Sequence, residues 1–198
     1  SWPLPPTASG KPPVAVPTGL DGAAYDNDMF VRAAVDRRRV WVGEQLTLSV
    51  YLYVRAGLGG RPEVTREPDL DGFYSIDRLE PTRALTSNDQ YVGDSRFSVV
   101  LLRQVTLFPL RAGSLRIGPA QVTLSLGGSL FFAPPEPVRR VGVPVEIEVL
   151  ALPAQGRPVG FEAPNVGHLE FDASVDRSEI RGDEAVTLSL RVRGEGNV

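Results

Sequence analysis

The stretch VWVGEQLTLSVYLYV, residues 40–54, alternates apolar with polar or aromatic side chains for longer than any other part of the chain. Leucine or valine occupies every second position from 46 to 54, and the positions between them hold Thr47, Ser49, Tyr51 and Tyr53. Successive side chains of a β-strand point to opposite faces, so this period of two predicts a long strand with one buried apolar face. The two tyrosines lie on the other face, where we expect either a second sheet to cover them or an exposed adhesive strip.

The turn before this strand contains Gly43 and Glu44. Glycine adopts positive φ without steric cost, which suits a tight turn. We expect the Glu44 carboxylate to keep this turn in contact with water.

The same design occurs a second time, 140 residues further on. Residues 171–190 align with residues 31–50 without a gap, and the identical pairs are Ala33/Ala173, Val35/Val175, Asp36/Asp176, Arg37/Arg177, Glu44/Glu184, Thr47/Thr187, Leu48/Leu188 and Ser49/Ser189. The repeats of solenoid proteins are about 20–50 residues long, so this spacing indicates tandem domains.

The composition indicates an all-β protein. Of the 198 residues, 42% are apolar and 23% charged, as in ordinary globular chains, but 20 Gly and 18 Pro exceed the usual combined share of about 12%. These residues separate short Val-, Leu- and Thr-rich segments, and no window keeps the apolar spacing of an amphipathic helix. Strand patterns occur at residues 30–35, 46–54, 72–76, 91–92, 97–107, 115–126 and 141–149, with turn signals between them, including residues 87–89. We therefore predict an immunoglobulin-like antiparallel β-sandwich.

Four segments are expected along the chain. Residues 1–24 are a Pro-rich linker, residues 25–151 form the immunoglobulin-like sandwich, and residues 152–160 form a second linker. Residues 161–198 contain only the first strands of a second, incomplete β-sandwich domain. Because a two-stranded ribbon is marginal alone, we expect this segment to lean on the first domain or to pair by its strand edge with another copy.

Charge and residue usage exclude several kinds of chemistry. A net charge of −3 disfavours nucleic-acid binding, and the run Arg37 to Arg39 is interpreted as a solvated turn. The absence of cysteine excludes disulfides and zinc-thiolate sites, and His168 is the single histidine. We therefore expect no catalytic residue, no cofactor and no metal site.

Two acidic segments resemble calcium ligands. One contains Asp26 and Asp28, and the other, residues 69–72, begins like an EF-hand loop. Tyr74 occupies the sixth position of the second segment, where an EF-hand loop requires glycine. A calcium site at Asp26 or Asp28 is the minor alternative.

The candidate partner-binding residues are Arg55 and Arg61, which flank a glycine-rich loop, together with Phe73 and Tyr74. Arginine and aromatic side chains are enriched in protein interfaces, and glycine permits close approach of a partner. An ordinary hairpin loop is the competing interpretation.

An ordered set of short motifs resembles the BatD family, the bacterial aerotolerance or oxygen tolerance proteins, over residues 28–198. The motifs are FVRA at 30–33, VGEQLTL at 42–48, LFPLRAG at 107–113, IGP at 117–119, GRP at 156–158 and GEGN at 194–197. The resemblance implies tandem immunoglobulin-like domains on the periplasmic face of the inner membrane, anchored by segments outside this chain. It also implies that the protein acts with von Willebrand factor A domain proteins and a MoxR-type ATPase.

The expected function is that of a non-enzymatic interaction scaffold in stress tolerance. A carbohydrate-binding or adhesion β-sandwich is the first alternative, and the accessory domain of an enzyme is the second. No segment approaches the roughly 20 apolar residues of a membrane-spanning helix.

Overall fold

A computed structural model describes residues 28–56, 60–79, 85–126, 136–157, 159–160, 166–182 and 184–196. Within these ranges the chain is all-β, with thirteen strands and no helix. The strands are β1 (Met29–Val35), β2 (Arg39–Trp41), β3 (Leu46–Arg55), β4 (Gly60–Arg66), β5 (Phe73–Asp77), β6 (Ser87–Val92), β7 (Ser95–Pro109), β8 (Gly113–Ile117), β9 (Gln121–Leu126), β10 (Glu136–Val141), β11 (Val145–Leu150), β12 (Gly167–Val175) and β13 (Leu188–Gly196). The predicted linker 1–24 lies outside the described residues.

The first layer of the sandwich is an antiparallel sheet built around β3. Its strand order is β1-β3-β7-β5, and β6 also pairs with β7. The strand predicted at residues 46–54 is therefore central, with β1 on one side and the long β7 on the other. A central strand has no free edge, which agrees with its continuous apolar pattern.

The second layer consists of two three-stranded sheets, β2-β11-β8 and β10-β9-β4. The strand predicted at residues 115–126 is interrupted at Gly118, Pro119 and Ala120, because proline has no N–H to donate to a ladder. Its neighbour is likewise divided into β10 and β11, so the strand predicted at 141–149 begins only at Val145. The Gly142 N–H donates to Ala120 O at 2.8 Å and connects the two sheets across both interruptions.

The core lies between the two layers. Leu46, Leu48, Val50 and Leu52 are fully buried on the inner face of β3. They belong to one apolar cluster with side chains of the second layer: Leu115, Ile117, Val122, Leu124 and Ile147. The predicted buried face of β3 is confirmed.

The opposite face of β3 is buried as well. Tyr51 and Tyr53 are 8% and 1% exposed and form a second cluster with Phe97 and Val99. Phe30 stacks on Tyr53 with ring centroids 4.5 Å apart. The expectation of an exposed strip is therefore wrong. The alternative, that a second sheet covers the tyrosines, is wrong as well, because they lie on the face away from the second layer.

Strands β2 and β4 were missed because their sequences lack an apolar period of two. For the same reason β6 was predicted only at residues 91–92 and β10 only at residue 141. Residues 87–89, interpreted as a turn, belong to β6, whereas the turn at Gly93 is present with a φ of 59°. Edge strands bury little, so hydrophobic patterning does not mark them.

The second repeat forms an antiparallel ribbon of β12 and β13 with the register of β1 and β3. Val35 pairs with Leu48 in the first unit, and Val175 pairs with Leu188 in the second. The described side chains of this ribbon are exposed, so they do not pack on the sandwich, and pairing with another copy stays a prediction. Val166 is the one buried residue described after position 160, and it lies against Gly43, where an added Cβ would be 3.2 Å from Val166 Cγ2.

Candidate interaction surfaces

The four predicted partner-binding residues lie at opposite ends of the sandwich. Arg55 pairs with Phe97 near the start of β7, whereas Phe73 pairs with Pro109 at its end. At about 3.3 Å per residue, these positions on β7 are roughly 40 Å apart. The prediction of one surface formed by all four residues is wrong, and a role for either pair remains a prediction.

At one end of the sandwich, Arg55 connects the last residue of β3 to its neighbours through two side-chain contacts. Its Nη1 is 3.3 Å from Asp28 Oδ1 and its Nη2 donates to Ser95 Oγ at 3.0 Å. Arg61 is exposed on β4, and the loop residues Gly57 to Gly59 lie outside the described residues. Arg55 thus contacts Asp28, the residue before β1, and Ser95 of β7, and the carboxylate of the calcium candidate Asp28 is paired with a guanidinium.

At the other end, the aromatic pair divides between core and surface. Phe73 is 8% exposed and belongs to the main core, whereas Tyr74 is 59% exposed. The Tyr74 ring lies beside Phe108 with centroids 6.1 Å apart. Only Tyr74 of this pair is available to a partner.

The acidic segment 69–72 crosses from the second layer to the first. Asp69 O accepts a hydrogen bond from the Gly118 N–H at 2.8 Å, and Gly72 O accepts one from the Leu110 N–H at 2.9 Å. Asp69 Oδ1 accepts from the Asp71 N–H at 3.2 Å. In the part of the chain that the structure describes, no group of three or more His, Asp or Glu residues could hold a metal ion. The segment acts structurally as a crossover.

Glu44 is buried, contrary to the expectation that it keeps its turn in water. It is 7% exposed, and its Oε2 accepts a hydrogen bond from the Trp41 N–H at 2.8 Å. Its Oε1 lies 2.8 Å from Arg37 Nη1. A buried carboxylate is tolerated when its oxygens are hydrogen-bonded and paired, and both conditions hold here.

The second unit repeats this polar arrangement. Glu184 Oε2 accepts from the Arg181 N–H at 3.3 Å and lies 3.7 Å from Arg177 Nη1. The Thr47 N–H donates to Asp36 Oδ1 at 2.8 Å, and the Thr187 N–H donates to Asp176 Oδ1 at 3.0 Å. The sequence did contain a signal for this role, because Asp36, Arg37 and Glu44 are identical to the residues 140 positions further on. The hydrophobic pattern alone does not reveal it.

The two units differ in what covers their apolar faces. Leu48 is fully buried, whereas Leu188, at the same position of the repeat, is 60% exposed. The same contrast holds for the other apolar positions of the ribbon: Leu169, Phe171, Leu190 and Val192. The ribbon therefore presents an apolar face whose counterpart in the first unit is the core.

Two surface arginines of β7 form hydrogen-bonded ion pairs with carboxylates. Arg103 Nε lies 3.0 Å from both carboxylate oxygens of Glu67. This hydrogen bonding raises the pKa of Arg103 above its usual value, although partial burial acts in the opposite direction. Asp89 likewise raises the pKa of Arg96. The stabilisation that accompanies a raised arginine pKa is fully present below the usual arginine pKa, and it is lost only as the pH rises through the raised pKa. Both guanidinium groups therefore stay charged throughout the ordinary pH range.

The fold is an immunoglobulin-like β-sandwich followed by a repeat of its opening ribbon. The comparison with protein families matches residues 33–131 to the BatD DUF11 like domain. The chain belongs to the BatD family, as the motifs from β1 to β8 predicted, and this family is not a known enzyme family. No curated protein matches the chain. Among the described residues, no helix is long and apolar enough to cross a membrane.

Proposed function

We propose that this chain is a non-enzymatic periplasmic interaction and scaffold region of a membrane-anchored BatD-like protein. In this proposal it acts with von Willebrand factor A domain proteins and a MoxR-type ATPase in stress, or oxygen, tolerance. Family membership supports the setting, because the BatD family is associated with membrane-anchored periplasmic proteins.

The observation that carries the scaffold role is the repeated unit. Two segments with one register, Val35 opposite Leu48 and Val175 opposite Leu188, follow each other along the chain. Tandem β-sandwich domains place binding surfaces in series, and their loops and edges are the parts open to partners. We propose on the same ground that residues 161–198 begin a second β-sandwich, in which the apolar face of β12 and β13 is an inner face.

The test is a pull-down of the chain against purified von Willebrand factor A domains, with Mg²⁺ and after chelation. We expect capture that weakens on chelation, because an acidic residue of this chain would complete the metal site of the partner. Arg61→Ala and Tyr74→Ala, at opposite ends of the sandwich, determine which end contributes. Failure to capture these domains in either condition would contradict the proposed partnership.

A carbohydrate-binding or adhesion role is the second candidate. The observation that favours it is the exposed Tyr74 ring beside Phe108, since a sugar ring stacks on an aromatic surface. A glycan array distinguishes the two functions. Binding of a glycan that Tyr74→Ala abolishes would favour this candidate, and an array without signal would reject it.

A further inference from the structure

Strand β5 lies at the edge of the first layer and is paired on one side only. It pairs with the end of β7, with Tyr74 opposite Phe108 and Ile76 opposite Thr106. No other strand in the described part of the chain pairs with β5. The side chains of residues 74–77 are all exposed, so this stretch of the edge is open to water.

Alternate backbone groups of β5 point toward its open side. Gly72 O accepts a hydrogen bond from the Leu110 N–H at 2.9 Å, and the Arg78 N–H donates to Gln104 O at 2.9 Å. These two bonds join even-numbered residues at either end of β5 to β7, and the register between them is unbroken. Because backbone direction alternates along an antiparallel strand, Ser75 turns its N–H and C=O groups away from β7.

Two exposed apolar side chains, Tyr74 and Ile76, lie on the outer face of β5. They are 59% and 47% exposed. Phe73 lies on the opposite face and belongs to the main core, which fixes the direction of the alternation. The edge therefore offers an apolar surface together with open backbone groups, a combination that favours pairing with another strand.

The edge strand β4 of the second layer is protected in a way that β5 is not. It contains Pro62 and the charged residues Arg61, Glu63 and Arg66. Proline and charged side chains on an edge strand oppose the addition of a further strand. Strand β5 has no proline, and its one charged residue, Asp77, is its last.

The sequence of β5 is complementary to itself. In an antiparallel pair of two β5 strands with Ser75 on the two-fold axis, Tyr74 of each copy faces Ile76 of the other. The outward N–H and C=O groups of Ser75 would be exchanged, which makes each Tyr74 and Ile76 contact a closely spaced pair without hydrogen bonds. Aromatic and β-branched side chains stabilise a sheet at such positions. Asp77 would face Phe73, so no like charges oppose each other.

We propose that two copies of this chain pair through their β5 edges, antiparallel about Ser75, so that the two first layers form one continuous sheet. A second copy is the occupant because the short row Tyr74, Ser75 and Ile76 supplies both sides of the contact. A strand of five residues buries less surface than a standard interface, so the pairing is weak and reversible. This inference does not depend on the proposed partners.

The test is sedimentation equilibrium of the full chain at concentrations from about 10 μM to 1 mM. We expect a monomer and dimer equilibrium with a dissociation constant within about this range. A chain that keeps the mass of a monomer at every concentration would overturn the proposal. If that monomeric chain captured von Willebrand factor A domains, only this inference would fail and the proposed function would stand.

The matched variants are Ser75→Pro and Ser75→Ala. Proline removes the backbone N–H that faces the open side, whereas alanine keeps it. Because this N–H does not donate to β7, its loss leaves the pairing within the chain intact. We expect dimerisation about tenfold weaker for Ser75→Pro and little changed for Ser75→Ala. Equal dimerisation of the two variants would overturn pairing at this edge.

A second pair of variants tests the register and leaves the backbone unchanged. Tyr74→Lys and Ile76→Glu each place a charge against an apolar side chain, and each variant alone should dimerise about tenfold more weakly. When the two variants are mixed, opposite charges face each other across the expected register, so mixed dimers should form more readily than either homodimer. A mixture no more dimeric than the separate variants would overturn the proposal.

Discussion

Glu44 Oε2 accepts a hydrogen bond from the backbone N–H of Trp41 at 2.8 Å, and this contact closes the turn between β2 and β3. The carboxylate is simultaneously paired with Arg37 at 2.8 Å while almost entirely buried. An acidic residue in a turn thus serves as an internal hydrogen-bond acceptor, and the same arrangement recurs around Glu184.

The Glu44 contact should contribute to stability. Glu44→Ala is expected to lower the free energy of unfolding by about 1–3 kcal/mol, because the partly buried Trp41 N–H and the Arg37 guanidinium lose this acceptor. Glu44→Gln, which retains one oxygen, should cost about 1 kcal/mol. Urea denaturation measures both, with Glu184→Ala as the exposed control of small effect. A Glu44→Ala variant with an unchanged free energy of unfolding would contradict the structural role.

The two leucines at the same position of the repeat should respond differently. Leu48→Ala is expected to cost about 2–5 kcal/mol, because it leaves a cavity in the core. Leu188→Ala should change the free energy of unfolding by less than about 0.5 kcal/mol, because its side chain is 60% exposed. Both are measured by chemical denaturation of the full chain. Similar losses for the two variants would show that the second apolar face is covered.

Gly118 should not tolerate a side chain. An added Cβ would lie 2.7 Å from Asp69 Cβ and 3.1 Å from Asp69 N, so the crossover would have to move. We expect Gly118→Ala to cost about 1–3 kcal/mol by overpacking. Gly142→Ala is the matched control in the neighbouring strand interruption, because its nearest contact is Val31 Cγ1 at 3.4 Å. Thermal unfolding of both variants provides the comparison, and equal midpoints would contradict the prediction.

The Arg103 ion pair should have a small and salt-dependent effect. Arg103→Gln is expected to cost about 0.5–1 kcal/mol at low salt, since both side chains are partly exposed. The loss should shrink in 1 M NaCl, where the screening length is about 3 Å. Arg116→Gln is the control, because its distance to Glu146 is 3.7 Å and both groups are largely exposed. An Arg103 effect that does not depend on salt would assign its contribution to packing.

Patterning predicted the fold class and the centre of the sandwich well. The alternation from Leu46 to Val54 identified a strand buried on one face, and the structure places it between β1 and β7. The repeat at an offset of 140 predicted a second ribbon, which the structure forms at the same register. Burial of apolar side chains is encoded locally by their period along the strand, so these features could be predicted.

Patterning predicted the candidate surfaces poorly. Arg55 and Tyr74 are attractive interface residues by type, but the crossover through Asp69 sends the chain to the opposite end of β7 before Phe73. The open edge of β5 had no sequence signal either. It exists because β5 pairs only with the end of β7, which depends on pairing between segments far apart in the chain.

The residue pattern was enough to predict an all-β chain, the alternating segments, the recurrence of the opening ribbon and the resemblance to BatD proteins. Three features became visible only in the folded chain: the burial of Glu44, the second cluster around Tyr51 and Tyr53, and the exposed apolar face of the second ribbon. The physical reason is that alternation specifies two faces of a strand but not what covers each face. Coverage depends on long-range strand pairing, and that pairing also decides which backbone groups remain open to a partner.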